Sequence, residues 1–215
     1  AESLRSPFAL GMALVSEMTL WRDLRIEDPA RLEDVAERLM QLAGEQEFAF
    51  LYASAHCGKG WAVCRRGDLE SGTSLIQTGL DLYAATGARL MWGYWCSYLI
   101  EAHLAACRLA EGLAATREAL ALSETQLDVN LDAELLRLEG ELLRASGDVR
   151  AAEASFRKAL EVAREQEART LELRTATSLG RLLAEQGRAG EALPVLAAVC
   201  QTPHEGFETR DLTEA

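Results

Sequence analysis

One histidine and several cysteines are spaced so that they could bind a metal ion. His103 and Cys107 lie four residues apart, which places both side chains on one face of a helix, and Cys96 or Cys64 could supply a third ligand. The surrounding stretch is apolar, and no acidic group is evident that would orient the histidine ring. The sequence therefore predicts no metal site and no cofactor.

Two further pairs could support catalysis or redox chemistry. Glu101 and Glu141 are a carboxylate pair in adjacent repeats, at a separation of about 10 Å that some acid/base pairs use. Cys57 and Cys64 share a helix face, but only Arg65 is placed to lower their pKa. Because no loop insertion forms a pocket, we expect solvated glutamates and small, buried, reduced cysteines. We predict no catalytic residue, and hence no enzyme.

The elements that carry these residues repeat with a period of 40. Small residues recur at Gly60, Gly140 and Gly180, and a second small column follows twelve residues later. That second column consists of Gly72, Gly112, Ala152 and Ala192. A fixed period of this length is typical of stacked repeat proteins, in which each unit buries its apolar face against its neighbours.

Turn residues divide the chain into helices joined in pairs. Ser6-Pro7 and Asp28-Pro29 are helix starts, while Gly67-Asp68 and Gly147-Asp148 end one helix and cap the next. We predict ten helices in one domain covering residues 1–215, itself a part of a longer protein. The predicted helices are 7–26, 29–44, 47–66, 69–85, 89–109, 111–124, 130–146, 149–166, 170–186 and 189–200.

The sequence resembles tetratricopeptide repeats over its best-matching unit. Leu136, Gly140 and Leu143 on the first helix, followed by Ala152 and Phe156 on the second, match the pattern of that family. The period of 40 differs from the usual 34. The resemblance implies an all-α fold, a right-handed α-solenoid of about five helical hairpins.

A narrower resemblance covers residues 130–215. The run from Glu134 to Leu143, the second helix from Ala152, and Glu205-Gly-Phe are similar to the C-terminal repeat region of large bacterial ATPase regulators. Those proteins often carry adenylate or guanylate cyclase or DNA-binding domains. No phosphate-binding loop is present, and the only lysines are Lys59 and Lys158. The resemblance implies a sensor or interaction module of a bacterial signalling regulator.

The resemblance also places the first helix of each pair along a concave groove. The residues predicted to face that groove and bind a ligand are aromatic in the N-terminal half, and arginine and glutamate beyond it. They are Trp21, Trp61, Tyr94, Glu101, Arg137, Glu141, Arg144, Arg174 and Arg181. A protein segment or small ligand with an apolar part and an acidic end fits this arrangement.

Two other interpretations of these residues stay open. Trp21 and Trp61 could pack repeat against repeat instead of binding a ligand. The arginines and glutamates could neutralise one another on a solvated face. The whole chain could then be a structural module for intramolecular packing or dimerisation. An apolar start of the first hairpin would favour a homodimer, and it consists of Phe8, Leu10, Met12, Leu14 and Val15.

Composition limits the partners and the compartment. The net charge of −12 argues against binding to nucleic acid, which requires many Lys and Arg contacts. The most apolar window, residues 90–100, is too short to cross a bilayer, and from the short polar start we expect no signal peptide. We expect a cytoplasmic protein without nucleic acid or membrane partners.

Overall fold

The computed structural model describes residues 6–23, 28–126 and 131–200, without the side chains of residues 21, 124–126 and 200. This part of the chain contains ten α-helices and no strand, which confirms the all-α prediction. The helices are α1 (Pro7–Asp23), α2 (Pro29–Glu45), α3 (Ala49–Arg65), α4 (Leu69–Ala85), α5 (Trp92–Ala105), α6 (Leu109–Gln126), α7 (Asp132–Ser146), α8 (Val149–Glu165), α9 (Arg169–Glu185) and α10 (Ala189–Cys200).

Predicted aspartate caps begin several of these helices. The side chain of Asp28 accepts a hydrogen bond from the backbone N–H of Arg31 at 3.1 Å. Asp68 and Asp148 make the same bond to the residue three positions later. Each cap satisfies one N–H that the first turn of the helix leaves without a partner.

The joints between helices share a left-handed backbone conformation that the sequence does not reveal. One residue takes a left-handed conformation at positions 47, 67, 87, 107, 147, 167 and 187, which are spaced by multiples of 20. Four of these residues are glycine, but Glu47, Cys107 and Glu167 are not. A left-handed residue ends one helix and turns the chain towards the next, so each helix with its joint spans 20 residues. Two such segments make the period of 40.

Left-handed residues also explain boundary errors of the prediction at α3 and α5. The left-handed Glu47, at φ 56°, delays the start of α3 to Ala49. Met91, at φ 63°, delays the start of α5 to Trp92, and Cys107 follows its early end. Propensity alone favours helix at Glu47 and Met91, and only the left-handed backbone excludes it.

The described chain divides into two compact units, residues 1–106 with α1 to α5 and residues 107–215 with α6 to α10. Both units use the glycine column in the same way. A Cβ on Gly60 would lie 2.7 Å from Ile76, and one on Gly140 would lie 2.5 Å from Phe156. The missing side chain on the first helix therefore makes room for a residue sixteen positions later on the second helix.

The core of each unit is apolar. Unit 1 buries Met18, Leu39, Leu51 and Ile76 completely, and unit 2 is built around Phe156. Burial of a side chain of this size contributes about 1.5–3 kcal/mol. Among the described helices none is long and apolar enough to cross a membrane.

Candidate functional site

Unit 1 contains a cluster of five side chains from three first helices. The cluster, called here the Arg22 cluster, consists of Arg22 on α1, Trp61 on α3 and three residues of α5, Tyr94, Tyr98 and Glu101. Nη2 of Arg22 lies 2.7 Å from Oε1 of Glu101, and the indole N–H of Trp61 donates to Oε2 at 2.9 Å. Both oxygens of one carboxylate are thus held by donors from two other helices.

Aromatic rings enclose the guanidinium of Arg22. Its central carbon lies 5.0 Å from the ring centre of Tyr94 and 5.1 Å from that of Tyr98, within the range of cation–π attraction. The Tyr94 hydroxyl donates to the backbone carbonyl of Thr19 at 2.9 Å. Burial raises the pKa of both tyrosine hydroxyls, so both stay neutral.

Burial decides what the predicted aromatic residues do in the structure. Trp61 is only 8% exposed, Tyr94 is 6% exposed, and Arg22 is 4% exposed. Trp61 also packs against Tyr98 with ring centres 5.5 Å apart. Trp61 thus packs repeat against repeat, because its ring on α3 contacts the ring of Tyr98 on α5. The side chain of Trp21 lies outside the described residues.

Unit 2 carries the predicted arginines and glutamates as an Arg–Glu network on α7 and α9. The network begins at Glu134, which is 1% exposed. Arg137 donates to both of its carboxylate oxygens at 2.8 Å, and Arg174 approaches to 3.9 Å. Arg137 and Arg174 are therefore largely covered side chains that neutralise a buried charge, and they are not a solvated face.

The second half of the Arg–Glu network is centred on Glu141. This carboxylate is 8% exposed, which corrects the expectation of a solvated residue. It accepts hydrogen bonds from Ser178 at 2.7 Å and from Nε of Arg144 at 3.0 Å. Arg144 also reaches Glu185 on α9 at 3.2 Å. Glu101 and Glu141 lie in different units, each beside arginine, so each carboxylate is already engaged.

A groove between α9 and α10 lies beside Arg181 of the predicted ligand-binding column. It encloses about 330 Å³. The lining is mostly small and apolar: Thr177, Gly180, Arg181, Ala184, Ala189, Ala192, Leu193 and Leu196. Arg181 is exposed, and Leu193 is 68% exposed. This α9–α10 groove combines one accessible cation with an apolar floor.

The cysteines and histidines form no metal centre in the described residues. No group of three or more His, Cys, Asp or Glu side chains comes together in that part of the chain. Cys57, Cys64 and Cys96 are buried, whereas Cys107 is exposed. Burial raises the pKa of the Cys57 and Cys64 thiols, which keeps them protonated and unreactive.

Several residues of these sites were not predicted from the sequence. Arg22 and Tyr98 complete the Arg22 cluster, Ser178 binds Glu141, and Leu193 lines the α9–α10 groove. Ser178 stands 37 residues after its partner, near the repeat period, so the register could have found it. Arg22 and Glu101 are 79 residues apart, one residue short of two periods, so the register relates their positions although no local pattern connects them.

Comparisons with known proteins agree with this architecture. No protein-family profile matches the chain, and no curated protein matches it. A solved structure of Bacillus thuringiensis PlcR, in complex with the peptide PapR7 and DNA, is similar with a TM-score of 0.76 and 12% identity, over 92% of this chain and 71% of that one. BtubC from P. vanneervenii has a TM-score of 0.67 and 17% identity, over 83% and 76%.

A kinesin light chain from Podosopora anserina with nearly identical TPR-like repeats is a third similar structure. Its TM-score is 0.62 at 13% identity, over 94% of this chain and 100% of that one. The chain therefore has a tetratricopeptide-like repeat fold, as the sequence resemblance implied.

Proposed function

We propose that this chain is a non-enzymatic scaffold that binds a protein segment in the α9–α10 groove. The observation that carries the proposal is the pairing of an exposed cation, Arg181, with an apolar floor in one open cavity. In the Arg22 cluster and in the Arg–Glu network, the charged side chains are already paired with one another. The α9–α10 groove, which Arg181 of the predicted column lines, has space for side chains of a partner.

The chemistry of the groove specifies the class of segment. The cavity beside the small, exposed Ala184 leaves space for one large apolar side chain, and Leu193 and Leu196 offer it contact. A carboxylate next to that side chain would pair with Arg181. Such a charge-assisted hydrogen bond contributes about 1.5–3 kcal/mol, and the apolar contact adds affinity that does not depend on salt.

Fluorescence polarisation with labelled twelve-residue peptides tests this function. One peptide carries a central Phe flanked by glutamates, and its control carries glutamines instead. We expect the acidic peptide to bind more tightly, and Arg181→Ala to weaken that binding about tenfold, which corresponds to about 1.4 kcal/mol. Leu193→Asp should abolish it. Arg150→Ala, which removes an exposed arginine of α8, is the matched control and should bind normally.

Either of two outcomes would contradict the proposal. If the acidic and the glutamine peptide bind with equal affinity, or if Arg150→Ala weakens binding as much as Arg181→Ala, the groove is not the site. General attraction to surface arginines would then account for the signal.

The finer role of the scaffold is also a proposal. We infer a sensor or interaction module of a bacterial signalling regulator that works in the cytoplasm and does not itself bind nucleic acid. The resemblance of residues 130–215 to ATPase regulators and the net charge of −12 support this inference. PlcR, a protein of similar fold, was solved with both a peptide and DNA. A gel-shift titration with duplex DNA tests the exclusion of nucleic acid.

A homodimer through α1 is the second candidate function. Phe8, Leu10 and Leu20 on α1 are 47%, 38% and 54% exposed, so three large apolar side chains of the first helix are accessible to a second copy. Leu14 and Val15, expected to be part of the same apolar surface, are buried. Sedimentation velocity from 5 to about 500 μM tests this association. Phe8→Ser with Leu20→Ser should abolish a dimer, and a strict monomer at high concentration removes the idea.

A further inference from the structure

We propose that the Arg22 cluster is a binding site for a guanidinium group, filled in this structure by the chain's own Arg22, and that an arginine side chain of a partner protein takes the place of Arg22. This inference concerns unit 1 and does not depend on the α9–α10 groove. It assigns to the predicted aromatic residues a ligand of positive charge, whereas the sequence pattern indicated an acidic one.

The surroundings of Arg22 have the features of a cation site. Two tyrosine rings lie 5.0 and 5.1 Å from the guanidinium carbon, and Glu101 pairs with it at 2.7 Å. A second carboxylate, Asp23, lies 3.5 Å from Nη1 of Arg22. Without Arg22, these groups would leave two negative charges beside aromatic faces. That environment attracts a cation because the aromatic faces and the carboxylates act on it together.

The geometry favours guanidinium over ammonium. A flat guanidinium can contact two rings and donate to a carboxylate at the same time, whereas an ammonium is a compact point charge that keeps its water. Trp61 fixes Glu101 by donating to Oε2 at 2.9 Å, so Oε1 faces Arg22 in a set position. Tyr94 is itself held by its hydrogen bond to Thr19 at 2.9 Å. The site is thus preorganised by contacts other than those to Arg22.

Arg22 can leave the cluster without unfolding α1. The apolar residues that anchor α1, namely Leu14, Val15 and Met18, are buried and lie one to two turns before Arg22. Arg22 is the second-last residue of α1, so only the final turn has to move, together with Asp23 and the 3.2 Å hydrogen bond that it accepts from Tyr94. Glu101 is 28% exposed on its side chain, so an incoming group can approach the carboxylate from solvent.

Attachment to the same chain gives Arg22 an advantage over any free arginine. An intramolecular group competes at an effective concentration that reaches the millimolar range or more, so a small guanidinium compound alone should not displace it. A partner succeeds only if it brings further contacts. Arg22 thereby acts as a lid that excludes small cations and admits an arginine presented on a larger binding surface.

The first experiment empties the site. In Arg22→Ala, N-propylguanidinium, which copies the missing side chain, should bind saturably at millimolar concentration and raise the Tm. N-propylammonium and urea at the same concentration should not. The wild-type protein should show no such rise, and neither should Arg22→Ala combined with Glu101→Gln. Arg65→Ala is the matched control, because it removes an exposed arginine that lies 5.6 Å from the ring centre of Trp61. N-propylguanidinium should not raise the Tm of this variant.

Each result of this experiment supports or overturns the proposed guanidinium site. Failure of N-propylguanidinium to bind folded Arg22→Ala overturns the proposal, and equal binding of N-propylammonium overturns the assignment to guanidinium. If Arg22→Ala does not fold, refolding on addition of N-propylguanidinium supports the site. Failure to refold is followed by Arg22→Met, which restores the volume of the side chain. Absence of saturable binding to that variant overturns the proposal as well.

The second experiment observes displacement in the wild-type protein. The Nε–Hε signal of Arg22 in a nitrogen-15 spectrum, assigned with Arg22→Lys, should be shifted by the ring currents of Tyr94 and Tyr98. Hexaarginine should move this signal to the position of a free arginine, and hexacitrulline should leave it in place. An Arg22 signal that does not move at saturating hexaarginine overturns the displacement by a partner. Peptide binding at Arg181 would not affect this readout.

Discussion

The indole N–H of Trp61 donates to the carboxylate of Glu101, which stands 40 residues later, one full period along the chain. The two residues therefore occupy the same position of successive repeats, and the repeat register itself brings them within 2.9 Å. The column that the sequence pattern treats as a row of independent ligand contacts is, at this point, a bonded pair. Glu101 in turn neutralises Arg22, so three helices depend on one carboxylate.

Removal of Glu101 should reveal this dependence. Glu101→Ala leaves Arg22, a 4% exposed cation, without its 2.7 Å partner and should lower the free energy of unfolding. The loss should be about 3 kcal/mol, the lower end for a buried pair because Glu101 is partly exposed. Urea denaturation followed by tryptophan fluorescence measures it.

Glu37→Ala is the matched control for that measurement. Glu37 pairs with Lys59 at 2.8 Å, but its side chain is 56% exposed. Its removal should change the free energy of unfolding by no more than about 0.5 kcal/mol. Equal effects of the two substitutions would mean that the Arg22 cluster adds no more stability than a surface ion pair.

The left-handed joint at Glu167 should be improved by glycine. A non-glycine residue at φ 53° brings its Cβ close to the backbone, and relief of this strain should stabilise the protein by about 1 kcal/mol in Glu167→Gly. In contrast, Glu161→Gly within α8 should cost about 1 kcal/mol through lost helix propensity. Thermal denaturation by circular dichroism compares the pair. A lower Tm for both variants would contradict the account of the joints.

The arginines of the predicted ligand-binding column should separate into structural and exposed ones. Arg137→Ala leaves Glu134 buried beside fewer donors and should cost about 3 kcal/mol. Arg181→Ala removes an exposed side chain and should cost no more than about 0.5 kcal/mol. The sequence pattern places both arginines along the predicted groove and does not distinguish them.

A double-mutant cycle checks the cause of the Arg137 effect. Glu134→Ala and Arg137→Ala together should destabilise the protein by clearly less than the sum of the two single substitutions, because removing Glu134 also removes the buried charge that Arg137→Ala leaves with fewer donors. Additive losses would show that packing of the side chains, and not their pairing, accounts for the effect.

The cysteines should differ in reactivity according to their burial. Burial raises the pKa of Cys57 and Cys64, so at pH 8 the thiolate fraction of both is below that of an ordinary cysteine. Iodoacetamide should therefore modify the exposed Cys107 first, and should reach Cys57, Cys64 and Cys96 only after unfolding. Peptide mapping by mass spectrometry quantifies each site, and Cys107→Ser serves as the control. Early modification of Cys57 would contradict its burial.

The sequence by itself determined the helices and their register. Apolar spacing, aspartate caps and the glycine column depend on residues close in the chain or one repeat apart, so they can be recognised without coordinates. Gly60 facing Ile76 and Gly140 facing Phe156 follow from that register. The joints at Glu47, Cys107 and Glu167 escaped because the repeat, and not the residue type, imposes their left-handed backbone.

Only the tertiary structure decided which predicted site residues are accessible. Trp61, Glu101, Glu141 and Arg181 share one column of the repeat, yet Trp61 and Glu141 are buried and bonded while Arg181 is exposed. Identical positions in the pattern differ because burial depends on what neighbouring helices place around them. Arg22 fills the space beside Tyr94, 72 residues further along the chain, and no spacing rule predicts such an encounter between distant side chains.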